Sequence, residues 1–139
     1  MDLIEKAYLA GLIDGEGCIT ILKSSKKNKR KDKVWVSYRP VIVISNTSLR
    51  LLEHAQDIIG LGEIYDRVHY DPNCKLQHGL HIYRKADVSQ LCKQLVPFLF
   101  EKKAQAEIIV TACSENNLAK YYPIIHELNR KGNKRRINK

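Results

Sequence analysis

LAGLIDGEG, from Leu9 to Gly17, is a run in which helix-forming apolar residues give way to glycine and two carboxylates. Set on a helix at about 100° per residue, Leu3 to Asp14 presents two apolar sides. Leu9, Leu12 and Ile13 share one, with Tyr8 at its edge. Ala7, Ala10, Gly11 and Asp14 recur at i, i+3, i+4 and i+7 on the other, which Leu3 and Ile4 extend toward the N-terminus. One core cannot cover both sides. The large side is expected to pack on the chain's own sheet. The small side lacks the bulk that keeps helices roughly 8–10 Å apart, so a second helix can approach closely there. The run is too short and too charged to span a bilayer.

Asp14 and Glu16 stand where the last carbonyls of a helix leave partial negative charge, an unfavourable place for carboxylates. Gly15 and Gly17 allow a sharp turn and a close approach. A second copy of the helix would bring its own acids to the same place, and a divalent cation, which prefers hard oxygen ligands, would relieve the repulsion. The alternative reading is a helix that ends in an Asp-Gly turn with Glu16 merely solvated.

Beyond Gly17 the pattern predicts an α+β domain. Cys18 to Leu22 alternates, with Ile19 and Ile21 inward and Cys18, Thr20, Leu22 and Ser24 outward. A Ser- and Lys-rich turn leads to a strand over Lys33 to Ser45, where Pro40 implies an edge position or a bulge. Asn46, Thr47 and Ser48 offer caps for a helix over Leu49 to Ile59, closed by Gly60 and Gly62. Strands follow over Glu63 to Tyr70 and Gln77 to Arg84. Asp87 is expected to cap a helix stopped by Pro97. Further helices are expected over Lys102 to Ser114 and, briefly, Ile124 to Asn129. The order αββαββα builds a four-stranded antiparallel sheet with helices on one face and the other open. Thr20, Ser24, Ser37, Arg39, Tyr65, Arg67, His69, Gln77, His81 and Tyr83 fall on the open face. They suit base edges and phosphates, although an exposed polar face can also be simply solvated.

With 139 residues the chain is expected to form one domain. Its net charge of +9 is concentrated. Lys23 to Lys33 (including Lys26, Lys27, Lys29 and Arg30) and Arg130 to Lys139 together hold thirteen Lys/Arg and one Asp, against eleven Lys/Arg and fourteen acids elsewhere. That distribution favours a polyanion, because Lys and Arg displace counterions from phosphates. The inner run lies between two strands; the last residues, about 131–139, read as a flexible basic tail. Cys18, Cys74, Cys92 and Cys113 show neither CxxC nor zinc spacing, so reduced thiols in an intracellular protein are expected. No signal peptide or membrane span is apparent.

Seven letters of LAGLIDGEG match the motif of the LAGLIDADG homing endonucleases, with Gly15 and Glu16 the departures. The chain resembles the members with a single motif, which implies a homodimer. The resemblance implies a saddle-shaped sheet that reads double-stranded DNA, metal-dependent hydrolysis of both strands of a long near-palindromic target, and Mg²⁺ as the working metal, with Mn²⁺ or Ca²⁺ able to occupy its place. It implies an intron or intein origin as well. By this resemblance Glu16 is the metal ligand, helped by the carbonyl of Gly15, and Asp14 acts structurally as a cap, with ligation the second choice. PFLFEKKAQAE, Pro97 to Glu107, is similar to the family segment whose lysine lies near the scissile phosphates, which places that role on Lys102, with Lys103 as a substitute. Asn46 resembles a residue that orients water; the alignment also leaves Ser45 open, and Asn46 has a local alternative as a helix cap. The same fold sometimes serves as an RNA-splicing maturase or as a DNA-binding protein without catalysis. The first is expected to speed splicing without cutting DNA, and the second to need no metal.

Overall fold

The computed structural model describes residues 1–30, 32–67 and 71–132. His69 and Lys31 lie outside the described residues, as do 133–139 of the basic tail. The elements run α1(Leu3–Glu16), β1(Gly17–Asn28), β2(Lys33–Asn46), α2(Leu49–Ile59), β3(Glu63–Arg67), β4(Gln77–Ile82), α3(Lys85–Leu95), α4(Lys103–Ser114) and α5(Leu118–Gly132). The expected α+β class and element order hold. The four strands form one antiparallel sheet in the order β1-β2-β4-β3.

Alternation sets the two faces. Ile19 and Ile21 on β1, Ile42 and Ile44 on β2, and Leu80 and Ile82 on β4 point to the same side and are buried beneath the helices. Each such side chain contributes about 1.5–3 kcal/mol on burial. Leu9 and Ile13 of α1, Leu52 and Ala55 of α2, Leu91 and Leu95 of α3, Ile109 of α4 and Ile125 of α5 complete this core.

Local chemistry starts and stops the helices. Asp2 and Glu5 form a reciprocal capping box at the head of α1. Ser48 caps α2 through a bond from the Leu51 amide, and Gly60, at φ +79°, ends it in the left-handed region. Gly17 is required for a different reason. Its backbone is extended, but a Cβ there would lie 2.8 Å from the Ile13 carbonyl oxygen.

Several expected boundaries move. α1 continues past Asp14 to Glu16, so Gly15 is helical and not part of a turn. β1 continues to Asn28 and pairs with β2 without a break, from Gly17↔Ile44 to Asn28↔Lys33. The Ser- and Lys-rich stretch is therefore mostly strand. Hydrogen bonding across the ribbon replaces the apolar alternation that the sequence lacks there. The unbroken register rules out a bulge at Pro40, which lies outside the Ile42–Asn46 stretch that pairs with β4 and so has a strand on one side only. β4 stops at Ile82, leaving Tyr83 just beyond it.

Helix α3 begins at Lys85, two residues before Asp87, and has no side-chain cap. α5 is much longer than the expected Ile124 to Asn129 and takes in residues 131 and 132, which the sequence assigns to the tail. Pro123 sits inside it at the loss of one helical bond, while the buried Ile125 anchors the helix to the core. No described helix is long and apolar enough to cross a membrane.

Candidate functional site

Three parts of the molecule bear on function: the bare side of α1, the acidic end of that helix, and the open face of the sheet.

On α1 the buried residues are Leu9, Ala10 and Ile13. Ala10 thus corrects the expected small-residue contact, because it packs into the chain's own core, where a methyl group fits as well as it would between two helices. Ala7 and Gly11 are exposed, Gly11 with nothing within 4 Å of where a Cβ would stand. Leu3 and Ile4 are 69% and 81% exposed. Gly15 also lies on this side with open space around it. Tyr8, at the edge of the large side, is 42% exposed and meets His54 of α2 edge-on, ring centroids 5.6 Å apart. Phe100, 88% exposed, stands beside the end of this strip, tied there by its amide. Nothing in its sequence context singles out Phe100.

At the helix end the two carboxylates differ. Asp14 Oδ2 and Oδ1 accept the backbone N–H groups of Phe100 and Lys102 at 2.9 and 3.0 Å. Both oxygens thus secure the turn ahead of α4. Glu16 is exposed and bonds to none of the described residues. Lys102, the residue just before α4, is drawn to the motif by this clamp. A cleft of about 310 Å³ lies between them, lined by Gly17, Cys18, Glu101, Lys102, Gln105 and Asn129 among others. Burial pushes the Cys18 thiol up, and the Lys102 ammonium partly offsets that shift. Gln105 donates to Asn129, which donates to the Ile19 carbonyl, while Gln105 Oε1 is buried with no partner among the described residues. The only hint of Gln105 in the sequence is its place three residues after Lys102, on the same helix side.

Asn46 does not join this group. Its side chain shares the helix-side parity and accepts the Ser48 amide at 2.8 Å. Ser48 is the residue that caps α2. Ser45, the other residue the alignment admitted, pairs with Gly79 on the open face, one position along β2 from the Ile44 that opposes Gly17.

The open face follows from the register, since directly paired residues point to the same side. Lys26 pairs with Trp35, Ser24 with Ser37, Leu22 with Arg39 and Thr20 with Val41. Cys18, Val43, His81 and Glu63 form the next row, with Tyr65 opposite Gly79 and Arg67 opposite Gln77 beyond it. The expected residues therefore share one face as far as they are described. Lys27 has the opposite parity on the same ribbon, and Lys29 and Arg30 lie in the loop at its tip. At that end of the hairpin both sides are exposed. Ser24 and Ser37 hydroxyls bond across it at 2.8 Å. Trp35 is 65% exposed among these polar groups.

Glu63 was not anticipated. Its carboxylate accepts the hydroxyls of Tyr65 and of Tyr83, the latter at 2.9 Å, and these bonds hold it below the usual carboxylate range and raise both phenols. Beside it the His81 ring is lowered by burial and then by the charges of Arg67 and Arg39.

Among the described residues no group of three or more His, Cys, Asp or Glu could hold a metal ion. The chain offers an open carboxylate at Glu16, with both Asp14 oxygens already engaged. That donor set fits a hard cation that takes its remaining ligands from backbone, water, phosphate or a second copy.

Residues 9–103 match the sequence profile described as LAGLIDADG endonuclease. Among solved structures, the fold is similar to that of an archaeal intron-encoded homing endonuclease, I-Vdi141I, complexed with DNA. The identity is 20%, the alignment covers 98% of this chain and 89% of that one, and the TM-score is 0.69. It is similar, too, to the homing endonuclease I-CvuI in complex with its target in the presence of Ca, at 18% identity, 98% and 87% coverage and TM-score 0.69. With uncleaved DNA in the presence of Mg, I-CvuI matches at 18% identity, 97% and 86% coverage and TM-score 0.68.

Proposed function

This chain belongs to the LAGLIDADG endonuclease family, and we propose that it is a homodimeric homing endonuclease that cuts both strands of a specific DNA target. The observation that carries the reading is the pairing of a bare small-residue side on α1 with an unengaged carboxylate at its end. Two copies of that side packed about a dyad bring two Glu16 carboxylates together, one for each strand. The apolar exposure of Leu3, Ile4 and Phe100 supports such a contact, because a monomer surface seldom leaves a contiguous apolar strip uncovered.

The ribbon supports the choice of DNA. A two-stranded β-ribbon fits the major groove, and the ten residue-to-residue steps from Cys18 to Asn28, at ~3.4 Å each, reach roughly one turn of B-DNA. Two such arms span a long, near-palindromic site. The arms carry the basic run, so affinity should fall steeply with salt.

Glu16 and the Gly15 carbonyl would hold a divalent cation, Mg²⁺ by preference. When bound, it supplies positive charge at the phosphate and favours deprotonation of water. The chain's own residues do the rest. Asp14 fixes the turn that carries Lys102, and Lys102 places an ammonium beside the motif, where it stabilises charge developing on the phosphate. Ser45, on the open face near Glu16, is better placed than Asn46 to bond a water at the cut. Neighbours solved with DNA in the presence of Mg or Ca agree with this use of cations.

The test is cleavage of a randomised DNA pool with Mg²⁺, read by sequencing the cut ends. Wild-type protein is expected to cut a defined site on both strands, and Glu16→Gln to lose cutting while retaining DNA affinity. Absence of cutting together with accelerated splicing of an intron RNA would transfer the fold to a maturase role. Metal-independent DNA binding without cutting would mark a regulator.

A further inference from the structure

We infer that Glu63 is a specificity-determining residue that reads the amino group of a cytosine in each half of the DNA target. The inference rests on the DNA reading above and deepens it.

Glu63 opens β3, on the row that runs from Cys18 through Val43 and His81, three strand spacings or roughly 14 Å from the motif end. A carboxylate on a face that meets phosphates is repelled by them. Its ligand must therefore be a donor. Tyr65 and Tyr83 each donate their hydroxyl to it, one to each carboxylate oxygen. A carboxylate offers about four acceptor positions, so two are left over. With their protons turned to Glu63, the two phenols also present only lone pairs outward. The cluster is thus an all-acceptor surface held in one geometry before any ligand arrives.

In the major groove the donors are the exocyclic amines, N4 of cytosine and N6 of adenine. Adenine N6 stands between two acceptors, its own N7 and thymine O4, and an all-acceptor cluster is repelled by both. Cytosine N4 has an acceptor, guanine O6, on one side only. Cytosine is therefore the base that Glu63 favours. Arg39 and Arg67, on the same face, are available for the neighbouring phosphates or guanines.

The experiment selects bound duplexes from a randomised pool with the full chain and then measures binding to every single-position variant of the selected site. Wild-type protein is expected to favour cytosine at one symmetry-related pair of positions, on the order of tenfold over other bases. Glu63→Ala should erase that preference alone. Glu63→Gln should move it to adenine, because a carboxamide can bond N6 and N7 together. The double variant Tyr65→Phe with Tyr83→Phe should keep the cytosine preference. An unchanged profile in Glu63→Ala overturns the inference. So does a double phenylalanine variant that reproduces the Glu63→Ala profile, since the carboxylate would then act only as an anchor for the phenols. Failure of the wild type to select any sequence removes the DNA reading itself and the inference with it, a result distinct from selection that ignores position 63.

Discussion

The two sides of α1 are nearly equal in apolar content and opposite in fate. Leu9, Ala10 and Ile13 are sealed against the sheet and helices of the same chain, while Leu3, Ile4, Ala7 and Gly11 face outward with Phe100 beside them. A surface helix normally turns charged residues outward, but here the outward side carries isoleucine, leucine and glycine. Leaving Leu3 and Ile4 in water forgoes about 1.5–3 kcal/mol each. Hydrophobicity identifies what needs covering, and the geometry of the chain decides which side it covers itself. The other side is left uncovered, and on the proposed reading an identical chain covers it.

Substitutions on each side can break or sharpen the contrast. The largest effect is expected at Gly11. Gly11→Val introduces overlap of about 1–3 kcal/mol per copy, felt twice across a symmetric contact, so sedimentation should show dissociation while denaturant unfolding of the protomer is little changed. Next is Ile13→Ala on the sealed side, expected to lower the stability of the fold by about 2–5 kcal/mol in urea melts. A matched pair then isolates side from residue type. Ala10→Val should cost about 1–3 kcal/mol in folding through overpacking, whereas Ala7→Val should alter folding by less than about 0.5 kcal/mol and weaken only self-association. Equal folding losses in the two variants would erase the distinction.

The smallest effect concerns the open sheet face. His81 is held below its ordinary value by burial, with Arg67 and Arg39 adding to it. Its folded form binds fewer protons than its unfolded form as pH falls through about 6.5, so its contribution to stability is present above that pH and is lost below it. Arg67→Ala should raise the ring's midpoint in NMR titration without restoring it fully, because burial persists.

Much of this arrangement could be read from the chain before its structure. Ser48 and Gly60 bracket α2 with chemistry that acts within a turn, and the parity of Ile19, Ile21, Ile42 and Ile44 sorts the sheet faces, since a strand has only two. Local rules fail where tertiary geometry chooses among equivalents. Ala10 is small enough for either side of α1, and only the packed core shows which side takes it. Residues 23–28 have no apolar alternation because neither side of the ribbon there is buried, so a strand held by its partner reads in the sequence as a turn. Pro123 looks like a break, yet the rest of α5 continues through it.

The site was legible in part. The resemblance alone distinguishes Asp14 from Glu16 in the sequence, and the physical reason for the difference, the amides of Phe100 and Lys102, lies 86 and 88 residues away. Asn46 and Ser45 are neighbours whose side chains strand parity sends to opposite faces of the sheet. Glu63 escaped notice because its significance lies in two phenols, one of them 20 residues distant.

The central claim is that two copies meet through the bare side of α1 and set a Glu16 on each DNA strand. Sedimentation equilibrium of the protein on a cleavable duplex tests it most directly. The account predicts two chains of 16.0 kDa per duplex for the wild type, and loss of that stoichiometry together with double-strand cutting in Gly11→Val. A single wild-type chain on each duplex, cutting both strands, would contradict it.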